Sequence, residues 1–121
     1  MSRDHLTERT RRGLAAEDTA WAHLERRGLR LIERNYRCKG GEIDLIAMDD
    51  ETLVFVEVRL RASERFGGAA ASIDWGKRRR LVHAAEHYLT YRVKAAPPCR
   101  FDAVLVSPTG IEWIRDAFPA E

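Results

Sequence analysis

The chain has 121 residues, of which 33% are charged, and its formal net charge is +2. A chain of this length has room for one hydrophobic core, so we expect a single domain over residues 1–121. Two cysteines, Cys38 and Cys99, are too few for a disulfide framework, and the sequence has no apolar run of about 18 residues to cross a membrane. Composition therefore excludes a disulfide scaffold and a helical membrane protein, and it predicts a cytoplasmic location without a membrane partner.

The charges are distributed unevenly along the chain. Residues 1–40 carry ten Lys or Arg and six Asp or Glu, and residues 59–94 carry nine bases and three acids. Residues 41–58, between them, carry six acids and no Lys or Arg. This pattern is typical of a metal-dependent enzyme that acts on nucleic acid, because a metal ion neutralises the acids while the bases attract the phosphate backbone. A highly charged solvated surface would give similar numbers, so charge alone leaves both interpretations open.

Apolar periodicity and turn signals predict seven elements in the order α-β-β-β-α-β-β. Leu14, Trp21 and Leu24 give the first helix an apolar stripe, and Gly28 is a natural stop for it. A helix that follows a meander of strands implies a central mixed β-sheet flanked by helices, which is an α/β fold. The elements are predicted as a helix at residues 6–27, strands at 29–36, 42–48 and 53–60, a loop at 62–73, a helix from 72–74 to 91, and strands at 101–106 and 111–114.

The segment at residues 41–61 is predicted to form a β-hairpin with its turn at the acidic centre. In that register Asp44 faces Glu57, and Glu42 faces Arg59. Opposed side chains lie about 4.5–5.5 Å apart at Cβ, so the two carboxylates would be close enough to share one metal ion.

The hairpin is also expected to be buried on both faces. Alternation puts Ile43, Leu45 and Ala47 on the face opposite to Asp44, together with the valines of the partner strand. Since both faces are apolar near the turn, we expect other elements to cover both, with the charged open end at the rim of the core.

These charged residues allow two interpretations. Two carboxylates can hold Mg²⁺, which prefers oxygen ligands and keeps waters for a phosphate and a nucleophile. Arg59 would then contact the scissile phosphate from the same face as Glu57. The same residues can instead form a structural network in which Arg59 pairs with Glu42 and Glu57. The residues alone leave both interpretations open.

Basic residues cluster near the start of the second helix. Lys77, Arg78, Arg79 and Arg80 lie where the helix dipole also favours anions. This run is predicted to contact a phosphate backbone together with Arg61 and Arg65, and the alternative is a solvated helix face.

His83 and His87 belong to an H-x-x-E-H pattern that is found in zinc proteases. The apolar face of the second helix is predicted to run through Leu81, Ala85 and Leu89, so both histidines should point outward. We therefore expect them to extend the basic surface rather than to hold zinc.

Seven segments match the motifs of one bacterial family. They are AAEDTAWAHLERRGLRLIERNYR at residues 15–37, GEIDLIA at 41–47, LVFVEVRLR at 53–61, FGGAAASI at 66–73, KRRRL at 77–81, RFDAV at 100–104 and EWIRDAF at 112–118. On these segments the chain resembles the YraN family, which has the restriction-endonuclease-like fold and is similar to archaeal Holliday-junction resolvases. The resemblance covers nearly the whole chain, and GEIDLIA followed by FVEV is its most specific part.

The resemblance implies a nuclease site. Asp44 and Glu57 would hold Mg²⁺ or Mn²⁺, with the backbone carbonyl of Val58 as a further ligand. Glu17 matches a first-helix glutamate near the metal, and Lys77 matches a basic residue at the start of the second helix. The implied activity is that of an endonuclease acting on DNA, branched DNA included. Resolvase relatives act as dimers, which implies a homodimer.

One position departs from the nuclease motif of that family. The lysine expected two residues after Glu57 is Arg59, which stays protonated and cannot act as a base, although its donors can stabilise phosphate charge. Lys77 would take the place of that lysine by approaching from the helix. Two alternatives to an endonuclease follow: a catalytically degenerate nucleic-acid-binding module, and a protein-interaction domain whose basic face docks an acidic partner.

Overall fold

The computed structural model describes residues 6–61 and 74–120, and these residues form the predicted elements in the predicted order. The elements are α1 (Glu8–Arg26), β1 (Arg30–Cys38), β2 (Gly41–Asp49), β3 (Thr52–Leu60), α2 (Trp75–Arg92), β4 (Cys99–Ser107) and β5 (Gly110–Ile114). The loop predicted at residues 62–73 lies outside the described residues. Neither of the two helices in the described part of the chain combines the length and the apolar character needed to span a membrane.

The strands form one five-stranded sheet in the order β1-β2-β3-β4-β5. Strands β3 and β4 are parallel, and the other neighbours are antiparallel. The sheet is therefore mixed, because the chain passes through α2 between β3 and β4 and so enters β4 in the direction of β3. This is the α/β architecture predicted for a restriction-endonuclease-like domain.

Each face of the sheet carries its own apolar cluster. The α1-side cluster joins one helix to the sheet through Ala20, Leu24, Leu29, Leu45, Ala47, Val54, Val56 and Val104. The α2-side cluster consists of Tyr36, Ile43, Ile46, Leu53, Phe55, Leu81, Ala84, Ala85, Tyr88, Phe101, Ala103 and Phe118. Burial of the sheet on both faces confirms the prediction made from its apolar strands.

The predicted hairpin register is confirmed over the half that is nearer to the turn. Strands β2 and β3 pair from Asp49 opposite Thr52 to Leu45 opposite Val56. The face predicted for Ile43 is wrong, because Ile43 belongs to the α2-side cluster whereas Leu45 belongs to the α1-side cluster.

The neighbouring strand is irregular at the same point. Asn35 of β1 stands between the pairs Arg34–Leu45 and Tyr36–Ile43, and its φ of 54° is in the left-handed region. A residue in that conformation changes the direction of the following side chains, so regular alternation is lost. In β2 the alternation breaks at Asp44, because Ile43 and Ile46 pack on the α2 side of the sheet and Leu45 and Ala47 on the α1 side.

Helix α2 lies so close to the start of β2 that residue 41 has no room for a side chain. A Cβ at Gly41 would lie 2.2 Å from the carbonyl oxygen of Arg80 and 3.2 Å from the Cβ of Ala84. We therefore expect Gly41→Ala to displace α2 and to lower the free energy of unfolding by about 2–3 kcal/mol. Equilibrium unfolding in urea measures this difference.

The matched control for this substitution is Gly13→Ala in α1. A Cβ at the exposed Gly13 meets no heavy atom within 4 Å. Alanine is the better helix former, so this control is expected to stabilise the protein by about 0.5–1 kcal/mol. A Gly41→Ala variant as stable as the wild type would contradict the close approach of α2 to β2.

Candidate metal centre

Asp44 occupies the point at which strands β2 and β3 stop pairing. Beyond the last pair, Leu45 with Val56, the Asp44 Oδ2 atom accepts a hydrogen bond of 2.8 Å from the backbone N–H of Val58. A side chain of β2 therefore replaces a backbone partner of β3. This bond fixes the carboxylate between the two strands.

Glu57 of β3 lies beside Asp44 and is buried, with 9% of its surface exposed. The two side chains are within hydrogen-bonding reach of each other. The Lys77 Nζ atom lies 3.5 Å from Glu57 Oε2, so a lysine of α2 approaches the carboxylate from another element. The start of α2 is fixed by Asp74, whose Oδ1 atom accepts a hydrogen bond from the Lys77 N–H at 2.9 Å.

The environment of Asp44 disfavours its charged form. Burial is the main cause, and the negative charge of Glu57 is the next; together they raise the pKa of Asp44 from 3.8 to about 7. The hydrogen bond from Val58 acts in the opposite direction, while Glu42 adds further repulsion. The surroundings of Asp44 therefore favour its uncharged form, whereas Glu57 has Lys77 beside it.

Another buried carboxylate of this fold, Asp102, differs from Asp44 because its charge is neutralised by its neighbours. Asp102 of β4 is fully buried and accepts hydrogen bonds from Arg100 Nε at 3.0 Å, Trp113 Nε1 at 2.9 Å and the Asp116 N–H at 2.9 Å. Its charge is thus balanced by a cation and two further donors. Asp44 instead faces other carboxylates, which is typical of a site that binds a cation from outside.

Glu17 of α1 is close enough to Asp44 for their charges to interact. Its pKa is raised by burial first and then by the charge of Asp44. Arg34 Nη2 donates to Glu17 Oε1 at 3.4 Å, and the side chain of Asn35 also hydrogen-bonds to Glu17. The sequence reasoning missed both of these β1 partners. The sequence does contain a signal that Arg34 is unusual. It is a charged residue that occupies the same alternating positions of the strand as the apolar Ile32 and Tyr36.

The pairing predicted between Glu42 and Arg59 is wrong. Glu42 lies opposite Arg37 of β1, and Arg37 Nε is 3.5 Å from Glu42 Oε2. Arg59 is half-buried on β3 and forms no ion pair within residues 6–61 and 74–120. The structural network of Arg59 with Glu42 and Glu57 is therefore not formed, because the strands have already separated beyond Asp44.

The side chains of the predicted phosphate-binding run differ in their surroundings. Arg79 and Arg80 are exposed, whereas the guanidinium of Arg78 lies 5.3 Å from the ring centre of Phe118. Arg61 donates its backbone N–H to the carbonyl of Val106 at 2.8 Å, and Arg65 lies outside the described residues. The nucleic-acid roles of all these residues stay predictions.

A small cavity opens beside the acid pair. It has a volume of about 40 Å³ and is lined by Glu42, Glu57, Lys77 and Arg80. Such a volume holds a few waters. Acidic and basic side chains therefore line the same small cavity.

The two histidines of the H-x-x-E-H pattern bind different partners. His83 Nε2 lies 2.9 Å from the carbonyl oxygen of Lys39, and His87 Nδ1 hydrogen-bonds to the hydroxyl of Tyr36. Across the described residues, no set of three or more His, Cys, Asp or Glu side chains converges as a ready-made metal cage. The donor set at the candidate centre is therefore the Asp44–Glu57 pair.

Comparison with known proteins identifies the family of this chain. The model of the Uncharacterised protein family UPF0102 matches residues 16–106. A UPF0102 protein of Paracidovorax citrulli is 62% identical over 112 residues, which cover 89% of this chain and 82% of the relative. One from Cupriavidus metallidurans is 58% identical over 110 residues, covering 90% and 81%, and one from Dechloromonas aromatica is 57% identical over 112 residues, covering 93% and 92%. The chain therefore belongs to the UPF0102 family, which is the YraN family that its sequence motifs predict.

Proposed function

We propose that this protein is a metal-dependent endonuclease acting on DNA, with Asp44 and Glu57 as the metal-binding carboxylates. The observation that carries the proposal is the meeting of the buried Glu57 and the partly buried Asp44, with Lys77 3.5 Å from Glu57, at the end of the β2–β3 pairing. A site that cleaves phosphodiesters needs carboxylates to hold a metal ion and a cationic side chain to stabilise charge on the phosphate, and these three residues supply both. The branched DNA and the homodimer implied by the resolvase resemblance belong to the same proposal.

The residues fit a hard divalent cation. Mg²⁺ is commonly held by one or two carboxylates and keeps several of its waters, so a third carboxylate is not required. A cation would remove the repulsion between Asp44 and Glu57. The backbone carbonyl of Val58, next to Glu57, completes the proposed ligand set. When bound, Mg²⁺ or Mn²⁺ supplies Lewis-acid activation of a water and neutralises charge on the phosphate.

The remaining side chains act on the phosphate and on the carboxylates. Lys77 donates to the phosphate oxygen on which negative charge develops, because its ammonium group already lies at the acid pair. Arg59 stabilises the same charge with its fork of donors. Glu17 holds Arg34 through their ion pair and orders the α1 side of the centre. Arg79 and Arg80 contact the backbone outside the scissile bond.

Replacing Lys77 by alanine tests this assignment. We expect Lys77→Ala to lower the rate of cleavage by about 10²-fold, because a donor to the developing charge is lost. The assay follows nicking of end-labelled single-stranded, duplex, flapped and four-way DNA in Mg²⁺ and in Mn²⁺, with excess enzyme. The exposed Lys94 provides the control, and Lys94→Ala should retain the wild-type rate. Equal rates for the two variants would contradict the role given to Lys77.

A second candidate is a module that binds nucleic acid without cutting it. The observation that favours it is Arg59, which stands where the nuclease motif has lysine and forms no ion pair with the described residues. Arg59→Lys separates the two candidates. A weak nuclease gains activity from the lysine, whereas a binding module stays inactive in every metal and on every DNA.

A further inference from the structure

Helix α2 begins with an aromatic side chain that the core does not use. Trp75, its first residue, is 61% exposed. An indole ring in water is unfavourable compared with one that packs on a flat apolar partner. In the described part of the chain, the other strongly exposed aromatic side chain is Tyr91, at the opposite end of the same helix, with 71% exposed.

Trp75 is adjacent in the helix to residues that line a basic cavity. Residues four apart share a helix face, so Trp75 lies over Arg79. Arg79 lines a cavity of about 340 Å³ together with Gly40, Gly76, Arg80 and His83. The two glycines have no side chains, so the protein backbone forms part of the cavity wall. Basic side chains form the rest of the wall. The exposed ring of Trp75 therefore lies within one helical turn of a cation that lines this cavity.

This basic cavity continues toward the acid pair through Arg80. The same arginine lines a second cavity of about 230 Å³ with Arg37 and Glu42, and it also lines the small cavity beside Glu57 and Lys77. Five residues of helix separate Trp75 from Arg80, which corresponds to about 7.5 Å along the axis.

We propose that Trp75 stacks on an unpaired base while Arg79 and Arg80 hold the adjoining phosphates. The substrate class would then be DNA with a single-stranded segment next to the cleavage point, such as a flap or an open junction. This inference rests on the proposed nuclease function and narrows its substrate. Bases inside a duplex already stack on both faces, so an indole ring can reach only an unpaired or terminal base.

Binding of three labelled probes tests the stacking. The probes are a single strand, a blunt duplex of the same length and a duplex with a single-stranded flap. Fluorescence anisotropy in EDTA gives Kd without cleavage. We expect Trp75→Ala to raise Kd about tenfold for the single strand and the flap and less than about twofold for the blunt duplex. Trp75→Phe should recover most of the affinity. Tyr91→Ala is the matched control and should leave all three Kd values unchanged.

Each result of these binding measurements either supports or overturns stacking by Trp75. An equal loss on all probes, no loss, or the same loss in Tyr91→Ala would overturn stacking by Trp75 and leave the nuclease proposal standing. A wild type that binds none of the probes would overturn DNA as the substrate, and stacking with it. Thermal unfolding of each variant shows whether it is folded, and the substituted residues are exposed, so a folded protein is expected in every case.

Discussion

Asp44→Asn is expected to make the folded protein more stable near neutral and alkaline pH, although it removes a proposed metal ligand. The pKa of Asp44 is raised from 3.8 to about 7 by burial and by the charge of Glu57. At about 1.4 kcal/mol per pH unit, this rise in the pKa lowers the free energy of unfolding by about 4 kcal/mol once Asp44 is charged. Asparagine carries no charge, and its side-chain oxygen can still accept the hydrogen bond from the Val58 N–H.

The sign of the pH dependence follows from the raised pKa. Below the pKa of the unfolded chain, Asp44 is protonated in both states and costs the folded state nothing. As pH rises, the unfolded chain releases this proton first, so the free energy of unfolding of the wild type falls until the pH passes about 7. The variant lacks this decrease. Its advantage should therefore be small near pH 4 and approach about 4 kcal/mol near pH 8.

Urea unfolding in EDTA across this pH range measures the difference without bound metal. Glu51→Gln is the control, because Glu51 is an exposed carboxylate in the turn of the same hairpin. This control should differ from the wild type by less than about 0.5 kcal/mol at every pH. If Asp44→Asn proves less stable than the wild type at the alkaline end, Asp44 is not the repelled carboxylate described above.

Glu57→Gln is expected to reduce cleavage by about 10³-fold or more while leaving the affinity for DNA within a fewfold of the wild type. Metal ligation supplies several kcal/mol to phosphodiester hydrolysis, and each 1.4 kcal/mol is about tenfold in rate. An amide keeps the size of the Glu57 side chain but removes its charge. Single-turnover cleavage at saturating metal isolates the chemical step.

Glu42→Gln is the matched control for Glu57. Both residues line the 40 Å³ cavity, but the Glu42 side chain is 61% exposed and pairs with Arg37, whereas that of Glu57 is 12% exposed. We expect Glu42→Gln to lose less than about fivefold in rate, since a solvated charge is easily screened. Equal losses in the two variants would mean that general negative charge, rather than ligation by Glu57, supports the reaction.

The sequence was sufficient to predict what depends on local pattern. Apolar periodicity located the helices and strands, and the acidic turn fixed the register in which Leu45 pairs with Val56. The same register predicted that Asp44 and Glu57 would be neighbours. These features follow from contacts between residues that are close along the chain, where spacing translates directly into geometry.

Features that depend on distant contacts could not be predicted from pattern. The alternation of β2 breaks at Asp44, opposite the left-handed Asn35 of β1, and Ile43 therefore packs on the other face from the one predicted. The predicted register pairs Glu42 with Arg59, yet separation of the strands leaves Glu42 beside Arg37. Lys77 reaches Glu57 because Gly41 allows α2 to lie directly on β2, a packing relation between segments far apart in sequence.

The most direct test of a metal centre at Asp44 and Glu57 is a calorimetric titration with Mn²⁺. The wild type and the Asp44→Asn/Glu57→Gln double variant are titrated side by side, each checked for folding by thermal unfolding. Our account predicts saturable binding to the wild type and none to the double variant, because the two carboxylates are the proposed ligands. Absence of binding to the wild type, or equal binding to both proteins, would contradict it.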